Sequence, residues 1–584
     1  MTAKIAKAQR KPPPAAGLLV LLKPYRALIL LLVVLTIAGN GLNLAVPRII
    51  AHAIDAYTQQ TFVLSAVVLQ FFLVAFFVFA LTYLQSLVQT YASERVARDL
   101  RTRVAAKISG QSYAFVERIT PAKLLTNLTS DIDAVKLFVS QAIASIIASV
   151  FLIVGAGILL LMINWRLGLS VLAIVPVIAI TFQLVLRKVR PLFQKAQEAI
   201  DWLNRVINES ILGAALIRLL NAQQLEYSKF MAANTEAKDI GLRMLRMFAG
   251  MIPIITLAAN LATVTILLVG GRFVIAGSMS LGDFTAFNSY LFILIFPIIL
   301  IGFMSNVIAQ ASASFMRLGV ILNAPEEQKT GGLVQALRGD IALQDVSLAF
   351  GEKMALRNVS LAAKAGTRTA IIGPTAAGKT QLLYLLIGLL QPTSGSVTYD
   401  GEPIDAYDKE ALHQQVGLVF QDSVMFNLTV RENIAFSNTI RDTDIEKAIA
   451  TAELTDFIAT LPQGLDTLVS ERGTSLSGGQ KQRIMLARAL ALNPRVLLLD
   501  DFTARVDPST EHTILKNVRE NYPGVTLISV TQKIASVMDY DQIIVLMEGE
   551  VLATGTHQQL MEASPEYVQL FHSQRSTSHY EIHA

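Results

Sequence analysis

The pattern of apolar and polar positions splits the chain near residue 320. Before it, long and nearly uncharged apolar stretches dominate; after it, short β-branched runs alternate with helical stretches. The stretch from Ala27 to Val46 is about as long as the ~20 residues that a helix needs to cross a bilayer. Similar stretches follow at 62–88, 137–162, 166–186, 247–271 and 284–306, so six spans are expected. The second is expected to continue as helix beyond the membrane, because Glu94, Arg95, Arg98, Asp99, Arg101 and Arg103 follow it without a break signal. Asn164-Trp165 joins the third and fourth as a tight hairpin with an aromatic at interface depth. The outer loops expected from this reading are short: 47–61, 163–165 and 272–283.

Charge gives the spans a direction. Residues 1–26 contain Lys4, Lys7, Arg10, Lys11, Lys23 and Arg26 and no acid. The segment 187–246 is long and basic, with Arg187, Lys188, Arg190 and Lys195 at its start. This segment and the charged one that follows the second span both fall on the N-terminal side of the membrane, which predicts six spans with both termini cytoplasmic, in a plasma (inner) membrane. A cleaved signal peptide would have a shorter apolar core and a small-residue cleavage site. Asn40, Asn43, Asn260, Asn288 and Asn306 are the main polar intrusions, read as glue between helices before substrate ligands. The spans hold no ionisable residue that suggests a proton or ion relay, so transport energy is expected from a nucleotide. Pro176, Pro253 and Pro297 are candidate kinks.

The segment Ala324-Pro325-Glu326-Glu327-Gln328-Lys329-Thr330-Gly331-Gly332 reads as the linker. The strands expected beyond it are Gly339–Val346, Ser360–Leu361, Arg368–Ile372, Ser396–Tyr399, Val416–Phe420, Arg495–Leu499, Thr526–Val530 and Gln542–Met547. Alternating with helical stretches, they predict an α/β domain with a largely parallel sheet. The expected organisation is a cytoplasmic N-terminal segment (1–26), an α-helical polytopic membrane domain of six transmembrane helices (27–322), a linker (323–340), an α/β P-loop NTPase cassette (341–575) and a tail (576–584).

Three motifs in that cassette carry chemistry. Gly373-Pro374-Thr375-Ala376-Ala377-Gly378-Lys379-Thr380 lies between the apolar runs Thr369–Ile372 and Leu382–Leu390. Glycines let a backbone curl so that its N–H groups surround one anion, and the helix that follows adds its positive end. Lys379 can reach the β/γ-phosphates of ATP, and the Thr380 hydroxyl can hold Mg²⁺. Gln381 extends the same loop. Val496-Leu497-Leu498-Leu499-Asp500 is a buried strand ending in a carboxylate, which sets Asp500 at the sheet edge beside that loop, where it can bind Mg²⁺. Leu476-Ser477-Gly478-Gly479-Gln480 precedes a helix and forms a second anion-binding turn; alone it would be a flexible turn.

Composition narrows the class. Of 584 residues 53% are hydrophobic and only 16% charged, which fits a membrane domain joined to a soluble one. The net charge of +5 is small for this length, and no nucleic-acid partner is expected. With no cysteine, disulfides, thiolate catalysis and Cys-ligated zinc are excluded.

Together these residues resemble the ATP-binding cassette (ABC) transporters. Leu476–Gln480 matches the family signature without a mismatch, Gly373–Thr380 matches Walker A and Val496–Asp500 Walker B. Gln421, in Val419-Phe420-Gln421-Asp422, matches the Q-loop glutamine, which the resemblance adds to Thr380 and Asp500 as a Mg²⁺ contact. Phe350 takes the place of the adenine-stacking aromatic, Asp507 that of the D-loop aspartate, and Gly555-Thr556-His557 resembles a late family element. Six spans and one cassette look like an exporter half-transporter. The resemblance implies two chains with two ATP between their cassettes, each ATP held by one chain's Walker motifs and, in trans, the other's Ser477, Gly478, Gly479, Gln480 and Asp507. It also implies coupling helices near Tyr113–Ile119 and Leu212–Leu220.

The departures matter most. Where the family usually has a glutamate general base after Walker B, this chain has Asp501; where it has a switch histidine, this chain has Gln532. Asp is shorter by one C–C bond, ~1.5 Å, and a base must lie within hydrogen-bond reach of its water. Gln can hydrogen-bond but cannot become cationic. The D-loop reads Ala504-Arg505-Val506-Asp507 instead of Ser-Ala-Leu-Asp. This pattern resembles the degenerate half of heterodimeric exporters and implies a partner half-transporter that brings Glu and His. The expected substrate is a hydrophobic small molecule or lipid, met from the bilayer. Two other readings stay open: a subunit that senses ATP to regulate a complex, and a slow homodimeric flippase.

Overall fold

The computed structural model describes residues 16–326, 331–351, 353–436, 440–470, 473 and 475–581. Lys4, Lys7, Arg10 and Lys11 of the basic N-terminal segment, linker residues 327–330 and the last three residues of the tail lie outside the described residues. The chain forms two compact units. One holds residues up to 110 and 119–325; the other holds 326–584 together with 111–118.

The first unit contains six helical segments long and apolar enough to cross a membrane: Lys23–Thr58, Leu64–Ser109, Pro121–Ile163, Trp165–Leu212, Gln223–Ile275 and Leu281–Leu322. The second does continue past the apolar stretch, as one helix from Leu64 to Ser109. Asn164 makes the hairpin between the third and fourth, its side chain accepting from the Leu167 N–H at 3.1 Å. The outer loops are shorter than the sequence suggests. Helix runs through Pro47 to Thr58, and Gly271–Ile275 is also helical. No glycine interrupts Arg48–Thr58, and a proline removes only one bond of the helical ladder. This end of the first span is also pinned to the sixth span. Asp55 accepts from the Ser280 hydroxyl at 2.7 Å and the Gly282 N–H at 2.8 Å.

The expected asparagine glue is not what joins these helices. Asn40 donates to Thr36 O one turn back, at 2.7 Å, as a short polar side chain in a helix readily does. The Asn288 side-chain oxygen is buried without a partner. The recorded ties include Asp55, the Arg48–Asp283 ion pair at 2.8 Å, Tyr290, whose hydroxyl donates to Leu44 O at 2.8 Å, and Gln89, whose side chain donates to Ser140 O. Nearer the cytoplasmic side expected from the sequence, Arg317 of the sixth helix grips the buried Asp131, which also accepts from Asn127 at 2.8 Å. The fourth segment breaks at Ala173, three residues before Pro176, whereas Pro253 and Pro297 lie in continuous helix.

The second unit is built on two sheets. Strands β1 (Ile341–Phe350), β2 (Lys353–Ala363), β4 (Ser394–Tyr399) and β5 (Glu402–Pro403) form an antiparallel sheet in the order β2-β1-β4-β5. Strands β3 (Arg368–Ile372), β6 (Val416–Val419), β7 (Val496–Asp500), β8 (Thr526–Thr531), β9 (Gln542–Met547) and β10 (Glu550–Gly555) form the other, ordered β10-β9-β3-β8-β7-β6. All its pairs are parallel except β10 with β9. Alternate residues of each inner strand feed opposite faces: Ala370, Ile372, Leu497 and Leu499 pack into one core, Ile371, Val496 and Leu498 into the other. Burial on both faces explains why these strands read as continuous apolar runs. The strands were expected at nearly these places, except β5 and β10, which were missed, and β2, of which only Ser360–Leu361 was expected; the antiparallel sheet is a separate layer.

Candidate nucleotide site

The site grows from the end of β3. The chain leaves the strand at Gly373, turns through 374–378 and enters the helix Lys379–Leu386. Two glycines are required by space. A Cβ on Gly373 would lie 2.0 Å from Leu546 O of β9, and one on Gly378, whose φ is +98°, would lie 2.8 Å from Ala355 O. Ala376 also adopts the left-handed region, at φ +66°.

Lys379 is buried, and its ammonium donates to Gly373 O and Pro374 O, both at 2.8 Å. Burial pulls its pKa down, opposed by the nearby Asp501 and Asp500 carboxylates. A lysine folded back on its own loop holds the loop in shape and can exchange those carbonyls for phosphate oxygens. The Thr380 hydroxyl donates to one Asp500 oxygen at 3.3 Å. The other Asp500 oxygen is buried with no partner. Burial raises the Asp500 pKa to about 6, with Asp501 adding to the rise and Lys379 and Thr380 opposing it. A buried carboxylate oxygen left without a donor costs free energy, and a hard cation would satisfy it. Thr380 and Asp500 therefore suit Mg²⁺, which would neutralise phosphate charge when bound. Gln421 is exposed and makes no recorded side-chain bond; its carbonyl accepts from Gln482 at 3.1 Å.

Both substituted positions fall in this pocket. Asp501 follows β7 with φ +45°, its N–H donating to Val530 O at 2.8 Å. Burial raises its pKa, while Lys379 and Lys533 lower it. Gln532 donates through Nε2 to the Thr375 hydroxyl of the loop at 3.5 Å. Gln574 brackets this position, donating to Gln532 O at 2.6 Å and accepting from the Ile534 N–H at 3.0 Å. Ala377 is buried, Gln381 half-buried, and Phe350 ends β1 with its ring half exposed.

The signature begins the helix Gly478–Ala491, where Ser477 and Gln480 form a reciprocal capping box. The Gln480 N–H donates to Ser477 Oγ at 3.2 Å and the Ser477 N–H to Gln480 Oε1 at 2.8 Å. No recorded hydrogen bond joins Ser477–Gln480 to the Walker loop of the same chain. Asp507 caps the helix Pro508–Asn521, accepting from the Ser509 hydroxyl at 2.6 Å and the Thr510 N–H at 2.9 Å. Those bonds lower its pKa to about 2. Thr556 likewise caps the next helix, and His557 bonds the Tyr567 hydroxyl at 2.6 Å, so the Gly-Thr-His element is a structural corner.

Sequence reasoning missed Gln482 and Tyr384, and named the segment of a third participant, Tyr113, without its partner. Gln482, one turn into the signature helix, reaches the Q-loop. Tyr384, in the helix after the Walker loop, stacks edge-on against Phe420, the neighbour of Gln421, at 6.0 Å. Tyr113 packs on Tyr384 from the other side at 5.5 Å. The segment Tyr113–Ile119 that the resemblance singles out is a short helix, and Tyr113 is the residue that meets Tyr384.

Comparison with known proteins agrees with this geometry. Residues 29–298 match the family model for the ABC transporter transmembrane region, and 356–504 that for the ABC transporter cassette. The uncharacterized ABC transporter ATP-binding protein YfiB of Bacillus subtilis is 32% identical over 95% of this chain and 97% of its own length. The probable multidrug resistance ABC transporter ATP-binding/permease protein YheI of the same organism is 30% identical, covering 93% and 94%. The ATP-dependent lipid A-core flippase of Acinetobacter baylyi is 30% identical, covering 95% and 97%. The fold matches the ATP-bound structure of a bacterial Atm1-family ABC exporter with a TM-score of 0.77, over 94% of this chain and 98% of that one, at 24% identity. The chain is a multi-pass membrane protein that belongs to the ABC transporters. It combines one six-helix membrane domain with one ATP-hydrolysing cassette.

Proposed function

We propose that this chain is one half of an ATP-driven exporter of amphipathic drugs or lipids, in which its own Walker site hydrolyses ATP slowly. Its signature then completes a competent site on the Walker motifs of a partner half that carries Glu and His. One observation carries the reading: the two unusual residues, Asp501 and Gln532, border the same loop, Gln532 touching Thr375 and Asp501 sharing the Lys379 charge. A base contributes ~10²–10⁴ in rate, so a shortened one beside an uncharged Gln predicts weak turnover at an intact binding site. Both termini are cytoplasmic in this reading, in a plasma (inner) membrane, and Mg²⁺ sits on Thr380, Asp500 and Gln421.

The substrate class rests on the first unit. A cleft of about 700 Å³ is lined by Ile153, Phe182, Ile298 and Ile301 together with Arg187 and Arg190. That mixture of apolar and cationic lining suits an amphiphile. A second chain is supported by the exposed Leu216 and Leu219 of the short helix Ala214–Leu219 and by Leu212 and Leu220, exposed on either side of it.

The test is to purify the chain alone in lipid nanodiscs and measure Mg-ATPase turnover, with ATP binding as the folding control. Binding with almost no turnover is expected. Turnover on the order of 1 s⁻¹ or more, ordinary for an enzyme, would instead indicate a working homodimer.

A further inference from the structure

Arg505 is the residue that the D-loop should not have, and the structure puts it somewhere specific. It ends the short turn Phe502–Arg505 and crosses the signature loop. A Cβ on Gly478 would lie 3.0 Å from Arg505 Cδ and 3.6 Å from its Cβ; one on Gly479 would lie 2.9 Å from Arg505 O. The two signature glycines thus form the seat on which the Arg505 backbone and stem rest. The residue is exposed, and among the described residues its guanidinium has no recorded hydrogen bond or ion pair. The seat thus fixes the stem beside the signature turn and leaves the guanidinium in solvent, open to an anion brought to that turn.

The surrounding donors suggest one. The first N–H groups of a helix have no partner inside it. Here the Gln480 N–H is taken by Ser477 Oγ and the Lys481 N–H by Ser477 O at 3.1 Å, while no bond is recorded for those of Gly478 and Gly479. Two free N–H groups, a helix end and a fork-shaped cation are together the donor set for a phosphate oxygen cluster. We infer that Arg505 contacts the γ-phosphate of the ATP that this chain's signature covers in trans. This rests on the composite-site reading above and adds to it a cation supplied by the signature side. The partner's Walker motifs already bring a lysine and Mg²⁺ to that phosphate in this arrangement; Arg505 meets the charge on the oxygens facing this chain as the γ-phosphoryl group passes from ADP to water. No proton transfer is asked of it.

The experiment uses the full complex, purified with its native second half and reconstituted in nanodiscs, with ATP as the probe. Three variants separate charge from packing. Arg505→Met keeps the stem and loses the charge, Arg505→Lys keeps a charge, and Arg505→Ala loses both. The expected result is a drop of about 10²-fold in kcat for Met and Ala, the size seen when one transition-state donor is removed. Arg505→Lys should recover part of that loss, and the KM for ATP should move only a few-fold in all three. Vanadate trapping of nucleotide, which mimics the transferring phosphoryl group, should weaken in parallel. If Arg505→Met turns over within twofold of the parent, Arg505 is a packing residue and the inference is overturned. Ser477→Arg, which blocks the signature loop, is the control on the underlying reading. If it leaves turnover intact, the composite site itself is wrong; if it abolishes turnover while Arg505→Met does not, only the role of Arg505 falls.

Discussion

Asp500 ties the site to pH. In the nucleotide-free protein its pKa stands at about 6, against 3.8 for an ordinary aspartate, chiefly because it is buried. Below about pH 4 it is protonated whether the chain is folded or not. Between there and pH 6 the folded state holds a proton that the unfolded state has released, so stability falls as pH rises and levels off above 6. Asp500→Asn should remove this slope. Melting temperatures of parent and variant, measured from pH 4.5 to 7 with a chelator and no nucleotide, should diverge steadily up to about pH 6. Parallel curves would mean that the carboxylate is not desolvated. Asp501 supports a second expectation at this scale. Asp501→Glu restores the missing methylene and should raise the ATPase rate of the chain alone at least tenfold, within the range of a general base; an unchanged rate would place the defect elsewhere. These residues were legible from the chain because phosphate chemistry demands fixed types at fixed spacing. Arg505 could be seen as odd but not as placed, because its seat on Gly478 and Gly479 is a contact across the fold.

At the scale of elements, two glycines in the membrane unit predict different costs. A Cβ on Gly302 would lie 1.7 Å from the Phe182 ring, a side chain that can move. A Cβ on Gly282 would lie 2.0 Å from Ala51 O, which is backbone. Gly302→Ala should cost about 1–3 kcal/mol, the usual range for overpacking, and Phe182→Leu should recover part of it. Gly282→Ala should cost more and resist rescue, because it forces two helices apart and breaks the Gly282 N–H bond to Asp55. Thermal unfolding in detergent would rank them; equal costs would contradict the distinction between ring and backbone. Helix count and order were readable from apolar length alone. Helix ends were not, since Pro47 and Arg48 read as the end of the first span, whereas the helix runs on to Thr58 and is tied to the sixth span through Asp55. Strand β10 was missed for a related reason: its alternating exposure gives a weak apolar signal, and it pairs only with β9.

For the whole molecule, the two halves of the nucleotide machinery should fail differently. Lys379→Ala removes the ammonium from this chain's own site and should lower its ATP occupancy while leaving much of the complex's turnover. Ser477→Arg should abolish most turnover, because that loop serves the partner's site in the proposed arrangement. Measuring ATPase and photolabelling on the same reconstituted complex separates the two, and equal partial effects would sink the asymmetry. The family was legible across nearly the whole chain because its motifs lie in one cassette. That 111–118 groups with the cassette, although it comes from between two membrane helices, agrees with the coupling helix that the family resemblance implies near Tyr113–Ile119; no local pattern of residues shows it.

That small segment bears on how such proteins can be recombined. Tyr113 packs on Tyr384, Tyr384 on Phe420, and Phe420 adjoins Gln421, so a row of rings runs from a piece of the N-terminal half to the edge of the nucleotide pocket. A chimaera cut only at the linker would carry a foreign Tyr384 face to a native Tyr113 segment. Modules exchanged between relatives would then assemble, bind ATP and idle, like a gearbox fitted with the wrong clutch plate. The transferable part of this chain is therefore discontinuous: the cassette and residues 111–118 have to travel together.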